Sequence, residues 1–197
     1  MLLYDNAISG NCYKVRLLLS RLGIAFDRRE LSVIDRSDRA RILGELNPGL
    51  RVPTLVLDDG RPLAESGAIL GYLARGTEFW PDEDYAHAQT LQWMFFEQYS
   101  HEPHIAVARF WAHAGITPSD DERAAKLRAG AAALDAMERH LATRDFFVAE
   151  RYTIADIALY AYTHVAPEGG FALEPYPAIR AWIERVAAQP DHIPITA

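Results

Sequence analysis

The amino-acid sequence predicts a two-domain protein in which a mixed α/β domain precedes an all-helical one. Short apolar runs alternate with helical patterns up to residue 76, and strand alternation is absent after residue 84. The polar segment 76–84 carries Pro81 and marks the boundary. We therefore place the α/β domain at residues 1–76 and the helical domain at residues 83–197.

The first domain begins with an apolar strand at residues 1–4 and a polar loop at 5–10. A helix follows, with Lys14, Arg16 and Arg21 outside its apolar stripe, and Gly23 ends it. The residues of the stripe are Cys12, Val15, Leu18, Leu19 and Leu22. The remaining predicted elements are a strand at 25–33, a short helix at 37–46, strands at 52–57 and 61–64, and a helix beginning at Ser66.

The second domain is predicted to contain helices only. Pro103 is expected to bend the first of them. The pattern Thr153-x-x-Asp156 predicts a capping box at the start of the third. The four helices are predicted at about 84–113, 120–142, 154–165 and 176–188.

Charge is distributed unevenly along the chain, whose net charge is −7. Residues 1–76 carry 11 basic and 9 acidic residues, a net charge of +2, and the remainder carries 9 basic and 18 acidic, a net charge of −9. The overall acidity disfavours nucleic acid as a partner. A small anionic ligand is therefore expected in the N-terminal domain.

The sequence also restricts the compartment. Its single cysteine, Cys12, excludes an intrachain disulfide and a four-thiolate zinc site. The first residues show no signal-peptide pattern, and no apolar stretch approaches the roughly 18 residues of a spanning helix. We expect a cytoplasmic protein that does not associate with membranes.

Two sequence clusters favour binding of a peptide-like ligand. Ser66 at a helix start offers free N–H groups that can hold a carboxylate, and Glu65 beside it would attract an ammonium group. The pair suits an amino-acid head, although Ser66 could simply cap its helix. A cis Val52-Pro53 bond would turn the backbone groups of Val52 outward to pair with an extended peptide, although most X-Pro bonds are trans.

Ser9 marks a third cluster, between the first strand and the first helix. A serine hydroxyl donates a hydrogen bond well, and beside a helix N-terminus it would favour a ligand thiolate over the thiol. The alternative is a serine that only caps the helix.

Together the three clusters resemble the glutathione transferase family. The match is strongest in Asn47-Pro48, Val52-Pro53-Thr54-Leu55 and Glu65-Ser66. The resemblance implies a thioredoxin-like glutathione-binding domain at 1–76 and a helical domain that contributes the pocket for an electrophile. Glutathione would then be the co-substrate, no metal would be needed, and the protein would be a homodimer.

The resemblance also implies roles for single residues. Ser9 matches the thiol-activating serine of the theta, zeta and phi types, and the helix start at Asn11 would add positive potential. Val52 and the cis-proline Pro53 match the segment that pairs with the cysteinyl part of glutathione.

At the other end of the ligand, Glu65 and Ser66 match the pair that holds the γ-glutamyl head. Arg51 stands where the family often has glutamine. It could bind the glycine carboxylate of glutathione or remain a solvated surface residue.

Several alternatives stay open. Cys12 lies in the first helical turn and could be a redox thiol, although it falls on the apolar stripe. His101 and His104 could bind a metal, but no third ligand is evident. Aromatic residues crowd the first helix of the second domain, where Trp93 or Phe96 could form the dimer contact. The candidate residues of the electrophile pocket are Tyr99, His104 and Trp111.

The function that these observations favour is transfer of glutathione to a small, hydrophobic electrophile, as in detoxification. Isomerisation, dehalogenation and peroxide reduction would use the same thiolate. The alternatives are a non-catalytic binding or regulatory protein and a glutathione-dependent isomerase or disulfide oxidoreductase, because one fold hosts many functions.

Overall fold

The computed structural model describes all residues, 1–197. Contacts divide the chain into two compact units: the first is Met1–Arg75 together with Pro190–Ala197, and the second is Gly76–Gln189. The segment Pro190–Ala197, here called the C-terminal strap, thus belongs to the first unit, whereas the sequence analysis placed it in the helical domain.

The first unit contains a four-stranded mixed sheet in the order β2-β1-β3-β4. Strand β1 pairs in parallel with β2 and antiparallel with β3, and β3 pairs antiparallel with β4. This thioredoxin-like arrangement confirms the predicted fold class of the N-terminal part. The elements are β1 (Leu2–Asp5), α1 (Gly10–Arg21), β2 (Asp27–Glu30), α2 (Arg39–Leu43), β3 (Thr54–Val56), β4 (Pro62–Ala64) and α3 (Ser66–Ala74).

Helix α1 is buried on more sides than its apolar stripe predicts. Its stripe residues Val15 and Leu19 pack with Leu3 of β1. However, Lys14 and Arg16, which were expected off the stripe, are 0% and 1% exposed. Arg16 is buried because its Nη1 donates to Asp5 Oδ1 over 2.6 Å and its Nη2 donates to a strap carbonyl. The strap therefore covers a face of α1 that lies outside the apolar stripe.

Side chains of the first unit hold the strap through its main chain. Each of five side chains donates a hydrogen bond to one carbonyl oxygen of the strap. The pairs are Arg21 to Pro190, Ser20 Oγ to Asp191 (3.0 Å), Tyr13 Oη to Ile193 (2.7 Å), Arg16 Nη2 to Ile195 (2.5 Å) and Arg28 Nη1 to Ala197 (2.9 Å).

The second unit is helical, which confirms the other half of the predicted fold class. The first predicted helix is divided, because a π-helical turn at Glu97–His101 interrupts it just before Pro103, a residue that cannot continue the backbone ladder. The other elements are α4 (Asp84–Phe96), α5 (Glu102–Ala114), α6 (Asp120–Leu141), α7 (Ile154–Thr163), a 3₁₀ turn (Ala166–Gly169) and α8 (Pro177–Ala187).

Trp93 does not form an exposed patch, contrary to the sequence analysis. It is buried, and its ring lies 4.6 Å from that of Phe147 and 5.1 Å from that of Phe96. The exposed aromatic residues of α4 and the π-helical turn are Tyr85 (69%), Phe95 (68%) and Tyr99 (85%). Trp93 and Phe95 lie on different faces of α4, and the run of neighbouring aromatic residues did not show which face is buried. None of the helices has the length and apolar character required to cross a bilayer.

Candidate functional site

Three loops of the first unit leave the sheet at the same end. Tyr4, Thr54 and Ala64 lie in register on the adjacent strands β1, β3 and β4. The chain continues from this row towards Ser9, enters it from Val52-Pro53 and leaves it at Glu65. The register of the sheet thus gathers the three clusters that the sequence singled out, at the type of sheet edge where ligands bind.

Ser9 is the N-cap of α1. Its Oγ accepts the backbone N–H of Cys12 over 3.3 Å, so the capping role considered for it is real. Capping uses the hydroxyl as an acceptor, and the hydrogen bond of the same hydroxyl with the buried Cys12 thiol could be exchanged for donation to a ligand. The two roles weighed for Ser9 are therefore compatible.

Asn11 connects the starts of two helices. Its Oδ1 accepts from Ser66 Oγ at the start of α3, over 3.3 Å, and from Lys14 Nζ, over 2.8 Å. The first turns of α1 and α3 are therefore adjacent, and each brings the partial positive charge of a helix N-terminus.

Glu65, rather than Ser66, occupies the N-cap position of α3. It has φ +66° and ψ 118°, a conformation that costs a non-glycine residue about 1–3 kcal/mol and that clusters at functional sites. Its side chain is exposed and makes no capping hydrogen bond, whereas Ser66 is buried as the first helical residue. The expectation that Ser66 caps α3 is wrong by one position.

The Val52-Pro53 bond is cis, as predicted. Val52 lies just outside the strand ladder, which begins at Thr54. Asn47 holds this loop, because its Nδ2 donates to Arg51 O and to Thr54 Oγ1, each over 2.9 Å. The side chain of Arg51 is exposed, which is compatible with either role considered for it.

Cys12 is fully buried. Burial, assisted by the charge of Asp5, raises the pKa of its thiol to about 12. A buried neutral thiol is a poor nucleophile, so the structure disfavours Cys12 as a redox centre.

The candidate residues of the electrophile pocket are dispersed within the second unit. Tyr99 is exposed on the π-helical turn, and His104 and Trp111 are half-buried two turns apart on α5. Burial lowers the pKa of His104. The other histidine of the suggested metal pair, His101, lies 2.9 Å from Thr163 Oγ1, and no cluster of three metal-ligating side chains is present.

Lys14 is a member of this site that sequence reasoning missed. The sequence placed it only outside the apolar stripe, yet the side chain is buried and its ammonium group donates to Asn11. One signal was present in the sequence: of 20 basic residues only Lys14 and Lys126 are lysines.

Comparisons with known proteins agree with this geometry. The family described as glutathione S-transferase, N-terminal domain, matches residues 8–75, and that described as glutathione S-transferase, C-terminal domain, matches residues 85–190. The chain belongs to the glutathione S-transferase family. A solved glutathione S-transferase from Pseudomonas fluorescens superimposes with a TM-score of 0.95 at 45% identity, covering 100% of this chain and 98% of that one.

Two curated relatives differ in their names. Glutathione S-transferase D7 of Anopheles gambiae is 30% identical over 192 residues, which are 93% of this chain and 84% of the relative. Disulfide-bond oxidoreductase YfcG of Escherichia coli is 31% identical over 155 residues, 74% of this chain and 71% of the relative. The family therefore includes proteins of more than one named activity.

Proposed function

We propose that this glutathione S-transferase family member binds glutathione in its first unit and transfers it to a small, hydrophobic electrophile. The observation that carries the proposal is the convergence of Ser9, Val52 and Glu65-Ser66 at one end of the sheet. Each feature fits a different part of one ligand: a hydroxyl for the sulfur, a free backbone edge for the peptide, and an acid beside a helix N-terminus for the amino-acid head.

In the proposed reaction Ser9 Oγ donates a hydrogen bond to the glutathione sulfur. This bond and the N-terminus of α1 favour the thiolate, and the thiol proton leaves to solvent. The thiolate attacks the electrophilic carbon, a C–S bond forms, and the leaving group departs with its electron pair.

At the amino-acid end, the exposed Glu65 carboxylate pairs with the γ-glutamyl ammonium group. The free N–H groups of α3 hold the γ-glutamyl carboxylate, and the Ser66 hydroxyl exchanges its bond to Asn11 for one to this carboxylate when glutathione binds. The exposed Arg51 would pair with the glycine carboxylate, and Asn11 would complete the contacts near the sulfur.

Disulfide reduction is the second candidate, because one relative is named a disulfide-bond oxidoreductase. With Cys12 buried, this chain contributes no accessible thiol of its own. Any such exchange would use the thiolate of bound glutathione, at the same site.

The proposed protein is a cytoplasmic homodimer that neither enters membranes nor binds nucleic acid and needs no metal. Phe95 and Tyr99 of the second unit, both exposed, would provide part of the contact between subunits.

Titration calorimetry with glutathione, followed by a conjugation assay with a generic aryl halide, tests the proposed function. We expect binding at sub-millimolar ligand and a conjugation rate above that of the uncatalysed reaction. Binding without turnover would support the non-catalytic alternative, and absence of binding at millimolar glutathione would refute the proposal.

A further inference from the structure

Arg16 of α1 is buried and uses its guanidinium group to bind the chain where β1 ends. Its Nη1 donates to Asp5 Oδ1 over 2.6 Å and to Asn6 O over 3.2 Å. Its Nη2 donates to Ala7 O over 3.3 Å and to Ile195 O of the strap over 2.5 Å. The N–H groups of both Nη atoms therefore have acceptors, and three of these acceptors belong to consecutive residues.

Two of these acceptors lie in the turn that ends at Ser9. The backbone N–H of Ser9 donates to Asn6 O over 3.1 Å, so Ser9 and Arg16 share this oxygen. The bond closes a turn of residues 6–9, here called the Ser9 turn, and Arg16 binds its first two carbonyl groups. Because Arg16 itself lies on α1, it joins the Ser9 turn to the helix that Ser9 caps. The position of Ser9 relative to α1 therefore depends on Arg16.

Pairing with Asp5 does not distinguish Arg16 from a second arginine. Asp5 is fully buried, and its Oδ2 accepts from Arg28 Nε over 2.7 Å. Arg28 also donates to the strap, at Ala197 O, over 2.9 Å. The two arginines thus share a carboxylate and the strap as partners. The contacts that only Arg16 makes are its two hydrogen bonds to carbonyl groups of the Ser9 turn.

We propose that Arg16 is a positioning residue for Ser9: it holds the Ser9 turn so that the Ser9 hydroxyl lies where it can donate to the glutathione sulfur. The proposal rests on the proposed function, since it requires glutathione at this site. Because the strap accepts one of the hydrogen bonds of Arg16, the strap contributes to the same support. An arginine with a purely structural role would stabilise the fold without acting on the sulfur through Ser9.

The test compares Arg16→Lys with Arg28→Lys. Each variant keeps the positive charge but replaces the guanidinium group with a single nitrogen, which cannot bind all the acceptors that two Nη atoms divide between them. Arg28→Lys is the matched control, because it disturbs the same carboxylate and the same strap but no bond to the Ser9 turn. Ultraviolet titration of the bound thiolate measures the thiol pKa of glutathione on each variant. Calorimetry with S-methylglutathione, which has no thiol proton, measures binding of the peptide part alone.

We expect Arg16→Lys to raise the pKa of the bound thiol by about half a unit or more, equivalent to a roughly threefold loss of thiolate at pH values below that pKa. Affinity for S-methylglutathione should stay within about twofold, and Arg28→Lys should change neither quantity. In the Ser9→Ala background Arg16→Lys should raise the pKa little further, because the hydroxyl that it positions is absent. An unchanged pKa in Arg16→Lys, an equal shift in Arg28→Lys, or a full shift in the Ser9→Ala background overturns the proposal.

Asn6→Ala provides a second measurement that does not depend on the folding of Arg16→Lys. The Asn6 side chain also supports the Ser9 turn, since its Oδ1 accepts the Ile8 N–H over 3.2 Å and its Nδ2 donates to Leu31 O over 3.0 Å. Asn6→Ala should raise the pKa of the bound thiol as well, and an unchanged pKa contradicts the proposal.

The same measurements separate this proposal from the proposed function. If the wild type binds neither glutathione nor S-methylglutathione, the proposed function fails and this proposal fails with it. If the wild type binds both ligands and the Arg16 and Asn6 variants leave the pKa of the bound thiol unchanged, the positioning role of Arg16 alone is refuted.

Discussion

The indole N–H of Trp182 in α8 donates to Asp156 Oδ1 in α7 over 3.0 Å, and both side chains are fully buried. The same carboxylate accepts from the backbone N–H of Phe147 over 3.1 Å and closes the capping box with Thr153, whose N–H lies 2.9 Å from Oδ2. One side chain thus joins α7, α8 and the loop before α7.

Asp156 gives the fold an identifiable pH dependence. Burial raises the pKa of its carboxyl from 3.8 to about 6, against the opposing effect of its hydrogen bonds. The folded state therefore binds this proton more tightly than the unfolded chain. The contribution of the group is complete below pH 3.8 and is lost as the pH rises through about 6. The free energy of unfolding of the wild type, relative to that of Asp156→Asn, should fall by on the order of 3 kcal/mol between pH 4 and pH 7. Urea denaturation at a series of pH values measures this difference.

Glu122 provides a control of opposite sign. It closes the second capping box of the same unit with Ser119, but it is exposed to solvent, and its hydrogen bonds to Ser119 lower the pKa of its carboxyl. Its contribution is therefore present at neutral pH and is lost on acidification. The difference in the free energy of unfolding between Glu122→Gln and the wild type should become smaller as the pH falls below about 4.5. Parallel pH trends in the two variants would contradict this account.

Removal of the Ser9 hydroxyl should act on the chemistry of the sulfur more than on affinity. A hydrogen bond to a charged acceptor contributes about 1.5–3 kcal/mol, so Ser9→Ala should raise the pKa of bound glutathione by roughly one unit or more. The pH profile of conjugation should shift upward accordingly. Binding near neutral pH should change less, because the contacts at Val52 and Ser66 remain.

Cys12→Ala is the matched comparison, one turn along the same helix. The thiol is buried with a raised pKa, so its removal should leave conjugation nearly unchanged. A small loss of stability, about 1 kcal/mol, is expected from the cavity. Full activity in Ser9→Ala together with lost activity in Cys12→Ala would move the function to cysteine-dependent chemistry.

The sequence predicted correctly those features that are set by interactions between residues close together in the chain. The capping box of Thr153 and Asp156 is present, and the cis bond at Pro53 lies where the resemblance implied it. Helix spacing identified Val15 and Leu19 as core residues of α1.

Features that depend on distant chain segments were not predictable in this way. The burial of Arg16, outside the apolar stripe, was not predicted, because periodicity within a helix contains no information about a strap 179 residues away that accepts its hydrogen bond. The burial of Lys14 was missed as well, because helix periodicity shows only that it lies outside the stripe. Trp93 was expected to be exposed but is buried against Phe147, a residue 54 positions along the chain, and the aromatic residues of α4 did not reveal that contact.

The proposed homodimer predicts that the exposed aromatic residues of the second unit are buried in solution. Phe95→Glu or Tyr99→Glu should place a charge in the contact and reduce the mass in light scattering from twice 22.1 kDa to 22.1 kDa at micromolar protein. Ile116→Glu, at an exposed apolar residue just beyond α5, should leave the mass unchanged. A wild-type mass of 22.1 kDa would refute the homodimer.

The C-terminal strap should contribute to the stability of the first unit. Deletion of Pro190–Ala197 removes the carbonyl acceptors of five side chains. Two of these side chains, Tyr13 and Arg16, lie on the face of α1 that the strap covers, and both are buried. Unsatisfied buried donors cost about 1–3 kcal/mol each where water cannot replace the partner. We expect a loss of several kcal/mol, with backbone amides of α1 exchanging faster while those of α7 keep their protection.

Single hydroxyl deletions refine the strap prediction. Tyr13→Phe removes one buried bond of 2.7 Å to Ile193 O and should cost about 1 kcal/mol or more. Tyr176→Phe removes a bond of 3.1 Å to Asp135 in an exposed setting of the second unit and should cost less, because water replaces the lost partner. Hydrogen exchange of the two variants and the deletion distinguishes a strap that stabilises α1 from one that only lies on it. If the strap only lies on α1, the backbone amides of α1 would be protected from exchange equally in the wild type, Tyr13→Phe, Tyr176→Phe and the strap deletion.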